Sequence, residues 1–105
     1  MEIIINNTKV IVDVADTFKK RLLGLMGKEN ITKGMFFPKK GSIHTFFMHD
    51  NIDIIMINKK KEVVYFQKRL SKNKIIIKKE AYHTIELPKN TIDNLNIGDK
   101  LIIKD

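Results

Sequence analysis

Residues 42–57, SIHTFFMHDNIDIIMI, hold two histidines and two aspartates among large apolar side chains. Imidazole and carboxylate groups are the usual carriers of proton transfer and metal ligation. On a strand, alternate residues share a face. His44, Phe46 and Met48 are then expected on one face, and Ile43, Thr45 and Phe47 on the other. A strand that runs on points His49 away from His44, so the two do not form a simple i, i+2 ligand pair; a bulge near position 49 would change this. Asp53 stands between Ile52 and Ile54, where a buried carboxylate needs a partner. His44 would make an Asp–His pair and raise the imidazole pKa. Arg21 or Arg69 would make a bidentate salt bridge. Backbone N–H groups of a turn would serve locally. The readiness of Asp to bond turn backbone favours the last two, structural, partners.

Metal binding would draw on His44, His49, Asp50, Asp53 and His83, but neither HxH nor HExxH spacing occurs. Ser42 and His44 share a face without a GxSxG elbow. With no cysteine, thiolate chemistry and Cys-ligated zinc are excluded, and no cofactor is implied. Met26, Met35, Met48 and Met56 read as core, or as a tolerant wall for an apolar ligand. The expected site is therefore a pocket lined by Phe37, Phe46 and Met48, with His44, Asp53 and Arg21 as its polar groups.

The net charge of +8 has a location. Nine basic residues and one acid, Glu62, lie between Lys59 and Lys79, while basic and acidic residues balance elsewhere. A nucleic-acid interface would use Lys59, Lys60, Lys61, Lys68, Arg69 and Lys72, with Tyr65 or Phe66 stacking on bases. Against this, the chain has 18 lysines, 18 isoleucines and 9 asparagines, all with codons rich in A and T, and only two arginines. Codon bias alone would supply such lysines, and arginine is the better bidentate phosphate ligand.

These side chains need elements to hold them. The β-branched runs 2–5 and 9–12 around Asn6-Asn7-Thr8 predict a hairpin. In 16–26, Phe18, Leu22, Leu25 and Met26 fall at helical spacing, with Asp16 as N-cap and Gly27 as the residue after the helix. Lys19, Lys20 and Arg21 crowd its first turns, against the dipole, which suits a solvated end or a nearby anion. Strands are expected at 34–37, 43–48, 52–57, 62–66, 74–78, 81–87 and 100–103, with a short turn in TIDNLN. Close strands with one helix predict a mainly β single domain over residues 1–105, a compact antiparallel barrel or sandwich. No run of apolar residues is long enough to cross a membrane, and MEIIINN lacks the marks of a signal peptide, so a cytoplasmic protein without membrane contact is expected.

In order along the chain stand Ala15-Asp16-Thr17, Arg21-Leu22-Leu23-Gly24-Leu25-Met26, Gly34-Met35-Phe36-Phe37, Ile43-His44-Thr45-Phe46-Phe47-Met48, Ile52-Asp53, Glu86-Leu87-Pro88 and Gly98-Asp99. This series resembles DUF192, a bacterial and archaeal domain of unknown function, from about residue 8 to 103. The resemblance implies a compact β domain with little helix, and no reaction. Many such relatives carry a signal sequence. Where they often have a Pro-Trp-Arg-like stretch this chain has Gln67-Lys68-Arg69, so only Arg69 matches, and His49 replaces a common Lys or Arg. The leading expectation is a domain binding a small molecule or peptide around His44 and Asp53. The alternatives are the nucleic-acid module above, and a hydrolase or metalloenzyme using His44 and Asp53.

Overall fold

The computed structural model describes residues 1–25 and 31–105, the side chains of Phe18, Leu22 and Leu23 excepted. The chain opens with the expected hairpin, β1 (Glu2–Ile5) and β2 (Thr8–Val14). Asn6 and Asn7 both take left-handed φ, 45° and 72°, and form its two-residue turn. Helix α1 (Phe18–Leu23) is shorter than the periodicity suggests. Its cap is Thr17, whose side-chain oxygen accepts the Lys20 N–H at 3.1 Å. Asp16 lies one residue outside and pairs with Lys20 Nζ at 3.6 Å. Gly24, at φ 51°, ends the helix, its N–H donating to the Lys20 carbonyl. Met26 and Gly27, named from the spacing, lie outside the described residues.

Strands β3 (Gly34–Phe37), β5 (Ile52–Ile57), β6 (Val63–Leu70), β8 (His83–Pro88) and β9 (Ile102–Lys104) join β1 and β2 in a seven-stranded sheet ordered β6-β5-β8-β3-β2-β1-β9. Beside it, β4 (Ser42–His44) and β7 (Ile75–Ile77) form a two-stranded sheet. Pairing is antiparallel except between β2 and β3, which run parallel with Val12 opposite Gly34. Parallel neighbours need a crossover, and α1 lies on it. The large sheet curls into a half-barrel. At one end its outer strands meet: Glu62 bridges Lys100, Val63 N–H donates to the Asp99 carbonyl at 2.8 Å, and Leu101 N–H to that of Lys61 at 2.9 Å.

Strand alternation divides the core. Inside the curl pack Ile3, Val12, Phe36, Ile55, Ile57 and Ile85, with Ile92 and Leu95 from the loop after β8. Against the opposite face pack Met35, Phe37, Ile52, Ile54 and Met56, covered by Leu25, Ile43 and Met48. Strands β3 and β5 are therefore buried on both faces, which explains their largely apolar sequences, GMFF and, apart from Asp53, IDIIMI.

Gly34 sets the spacing between β2, β3 and β8. A Cβ there would lie 2.5 Å from the Glu86 carbonyl oxygen and 2.8 Å from Leu87 Cδ2. Gly34→Ala is expected to destabilise the domain by about 1–3 kcal/mol, as overpacking does. Urea unfolding followed by far-UV circular dichroism checks this; an unchanged midpoint would mean β2 and β3 are not held so closely.

Candidate functional site

Asp53 is fully buried, and alternation puts it on the inner side of β5 with Ile55 and Ile57. Opposite it, β6 carries a bulge: Ile52 pairs with Leu70 but Ile54 with Gln67. The extra residue leaves one N–H out of the ladder. That donor belongs to Arg69, bent to φ 52°, and it bonds Asp53 Oδ1 at 2.8 Å. The other oxygen, Oδ2, accepts the Ile92 N–H at 2.8 Å. Of the three kinds of partner the sequence allows, backbone N–H is the one used, but not from a local turn: the donors lie 16 and 39 residues away along the chain. Arg69 serves through its amide, and Asp53 is bonded to neither His44 nor Arg21.

His44 ends β4. The strand expected over 43–48 stops there because Thr45 turns the chain. Its hydroxyl donates to the Ser71 carbonyl at 2.7 Å and accepts the Lys74 N–H at 2.9 Å, and its carbonyl accepts from Asn73 and Met48. Phe47 is thrown outward at φ 62° with 78% of its surface exposed. A bulky residue with left-handed φ is strained. The turn brings Phe46 back onto His44, their rings stacked with centroids 5.4 Å apart. His44 Nδ1 is enclosed without a hydrogen-bond partner among the described residues. Register places Ile75 opposite His44 and Ile77 opposite Ser42, so these four share the outward face of β4·β7. Ile75 and Ile77 are 60% and 70% exposed, while Ile43 and Ile76 turn in to the core.

The remaining expected residues lie elsewhere. Phe37 and Met48 are packed in the second core cluster. Arg21 donates to the Pro38 carbonyl at 2.7 Å and lines a cavity of about 450 Å³ with Ala15, Asp16 and Lys39. Beside it, Lys40 Nζ donates to the Arg21 carbonyl at 3.2 Å and sits 4.8 Å above the Phe37 ring. Burial holds the Lys40 pKa below its usual value, against the opposing charge of Glu86 and with that of Arg21. Glu86, itself buried, accepts the Leu25 N–H at 3.2 Å. The six residues are thus placed in four locations, with His44 and Phe46 together and Phe37 and Met48 together. Phe47, exposed in the turn beside this sheet, was missed, and so were Ile75 and Ile77, which complete the face of His44. Their signal was a run of three isoleucines, IIIKK, with lysine on both sides and no polar alternation.

The basic stretch is divided too. Lys59, Lys60 and Lys61 occupy the turn before β6, while Lys68, Arg69 and Lys72 lie at its far end, an eight-residue strand away, about 25 Å. Lys59 and Lys60 line a cavity of about 400 Å³ with Lys79 and Tyr82, and Lys59 Nζ caps the Tyr82 ring at 5.0 Å. Phe66 packs into the inner core, and Tyr65 is covered by Lys78 at 4.4 Å. Among the described residues no three His, Asp or Glu side chains converge as a ligand set. No helix among them is long and apolar enough to cross a membrane.

A family profile for DUF192, described as an uncharacterized ACR, matches residues 1–103. A UPF0127 protein of Thermococcus sibiricus is 38% identical over 98 residues, covering 86% of this chain and 64% of its own length. The chain thus spans less than two thirds of that relative. A UPF0127 protein of Pyrococcus furiosus is 33% identical, covering 89% of this chain and 86% of its own. Among solved structures, a Novosphingobium aromaticivorans protein of unknown function superposes with a TM-score of 0.75 at 15% identity, over 97% of this chain and 82% of that one. A Sinorhizobium meliloti protein, provisionally named a transcription regulator, gives 0.80 at 19%, over 96% and 89%. These two likenesses concern the fold.

Asp53→Asn keeps the shape but replaces one acceptor with an amide donor facing a backbone N–H. A loss of about 1–3 kcal/mol is expected in urea unfolding; wild-type stability would mean the two bonds contribute nothing. His83 supplies a pH test. Its Nδ1 accepts the Lys39 N–H at 3.0 Å, and burial, then the charges of Lys39 and Lys61, hold its pKa below the usual 6.5. The folded state therefore binds fewer protons than the unfolded one as pH falls below about 6.5. This contribution is full above that pH and lost as pH falls through the folded pKa. His83→Asn should flatten the stability drop between pH 7 and 5; an equally steep drop would assign it to other groups.

Proposed function

As a member of the DUF192 family, to which this chain belongs, the protein has a fold without an assigned reaction, and we propose that it is a binding module that takes a small molecule or peptide on the outward face of β4·β7. One observation carries the reading: Phe47, Ile75 and Ile77 are all more than half exposed on or beside a single small sheet. Apolar side chains grouped in solvent mark interaction sites, whereas scattered ones do not. The turn after β4 holds the left-handed Phe47, and His44, at the end of the strand, has its Nδ1 without a partner among the described residues. Strain and unsatisfied polar atoms gather where a structure serves binding. His44 and Phe46 remain from the expected pocket, and Phe47, Ile75 and Ile77 replace Phe37 and Met48. Asp53, with both oxygens on backbone donors, holds the scaffold.

The test uses 8-anilinonaphthalene-1-sulfonate, a small apolar anion, with amide NMR of labelled protein. Shifts should cluster on residues 42–47 and 75–77. Phe47→Asn should weaken binding while leaving the free energy of urea unfolding unchanged or raised by up to about 1 kcal/mol, because asparagine tolerates the left-handed φ. Shifts centred elsewhere, or undiminished binding by the variant, would reject this face. Shifts confined to residues 59–61 and 79–82 would return the reading to the basic cavity.

A further inference from the structure

The open side of β7 narrows the ligand class. In an antiparallel pair, residues alternate between those whose backbone groups face the partner strand and those whose groups face away. Lys78 N–H donates to the Gly41 carbonyl and Thr45 N–H to that of Lys74, so the pairs Gly41–Lys78, Ile43–Ile76 and Thr45–Lys74 face inward. The backbone N–H and C=O groups of Ile75 and Ile77 therefore point to the outer edge of β7. No described strand pairs with that edge. The residues whose backbone no described strand pairs are also those whose side chains stand in solvent.

Charge decides between occupants. From Lys68 to Lys79 the chain has six basic residues and no acid, and Lys74 and Lys78 bracket the three isoleucines. A second copy pairing antiparallel about Ile76 would set Lys74 of each chain opposite Lys78 of the other. Like charges directly opposite destabilise a strand pair, so the edge resists self-association. An extended segment with an apolar centre and acidic ends meets no such repulsion. Its backbone would bond Ile75 and Ile77, its apolar side chains would pack beside Ile75 and Ile77, and its carboxylates would face the flanking lysines.

We infer that the β7 edge binds an extended, acid-flanked apolar segment of a partner protein by strand addition. This rests on the binding face proposed above and adds the ligand's chemistry and its mode of attachment.

The probe is the peptide Glu-Glu-Val-Val-Val-Glu-Glu, capped at both ends, with Lys-Lys-Val-Val-Val-Lys-Lys as its charge-reversed control. Binding is read by amide NMR and by hydrogen exchange of the intact protein. The acidic peptide should shift residues 42–47 and 75–77, and slow exchange of the Ile75 and Ile77 amides while leaving Ile76, already bonded, unchanged. N-methylation of the central valines in the bonding register should weaken it about tenfold, through two lost hydrogen bonds. The lysine peptide should bind more weakly, and added salt should weaken the acidic one. Shifts on the face with unprotected Ile75 and Ile77 amides would overturn strand addition and leave the binding face standing. Equal binding of both peptides would overturn the acidic preference. Absence of any peptide shift, where the anilinonaphthalene probe binds, would overturn this inference alone. A short single-stranded RNA shifting the same residues while the peptide does not would assign the edge to nucleic acid.

Discussion

The fold turns on one buried carboxylate. Strand β5 is covered on both faces, and Asp53 is its one ionisable group. A charge there is tolerable only with its oxygens satisfied. The structure provides this by a trade. A bulge in β6 frees the Arg69 amide, which would otherwise be an orphan, and the carboxylate takes it. The second oxygen fixes the Ile92 amide, and so sets Ile92 and Leu95 into the open end of the curled sheet. Strand curvature, loop position and inner core are coupled through a single side chain.

That coupling separates the scaffold from the surface available for recognition. The inner core is closed by the loop after β8, and the outer core by β4·β7, which buries Ile43 and Ile76 on one side only. Its other side has no cover among the described residues. Thr45 keeps the small sheet in place by bonding Ser71 and Lys74, and in doing so turns Phe47 into solvent. One buried hydroxyl thus anchors the sheet and presents the aromatic tip. On the proposed reading, lysines grouped around β7 favour an acidic segment and oppose pairing of the edge with its own kind.

Much of this was legible in the residues where local chemistry decides the outcome. Asn6-Asn7 specifies a tight hairpin, GMFF and IDIIMI specify strands buried on both sides, and the β class follows from their spacing. The helix cap moved from Asp16 to Thr17 because both residue types cap well, and Gly24 ended the helix before its apolar period ran out. The parallel β2·β3 pair was not legible, since strand partners are chosen by tertiary packing. The alternation through 43–48 misled for a similar reason: a threonine reads as a strand residue until the loop that captures its hydroxyl is known. For Asp53 the possible partners could be enumerated, but choosing among them needed the register of β6, a property of the folded sheet.

The proposed division of labour assigns Asp53 to the scaffold and the β4·β7 face to recognition. The most direct measurement is the affinity of folded Asp53→Asn for 8-anilinonaphthalene-1-sulfonate, taken where the variant is fully native. The parent's affinity, with shifts on the same residues, is expected despite reduced stability. Lost binding by the fully native variant would contradict this and make Asp53 a ligand-binding group.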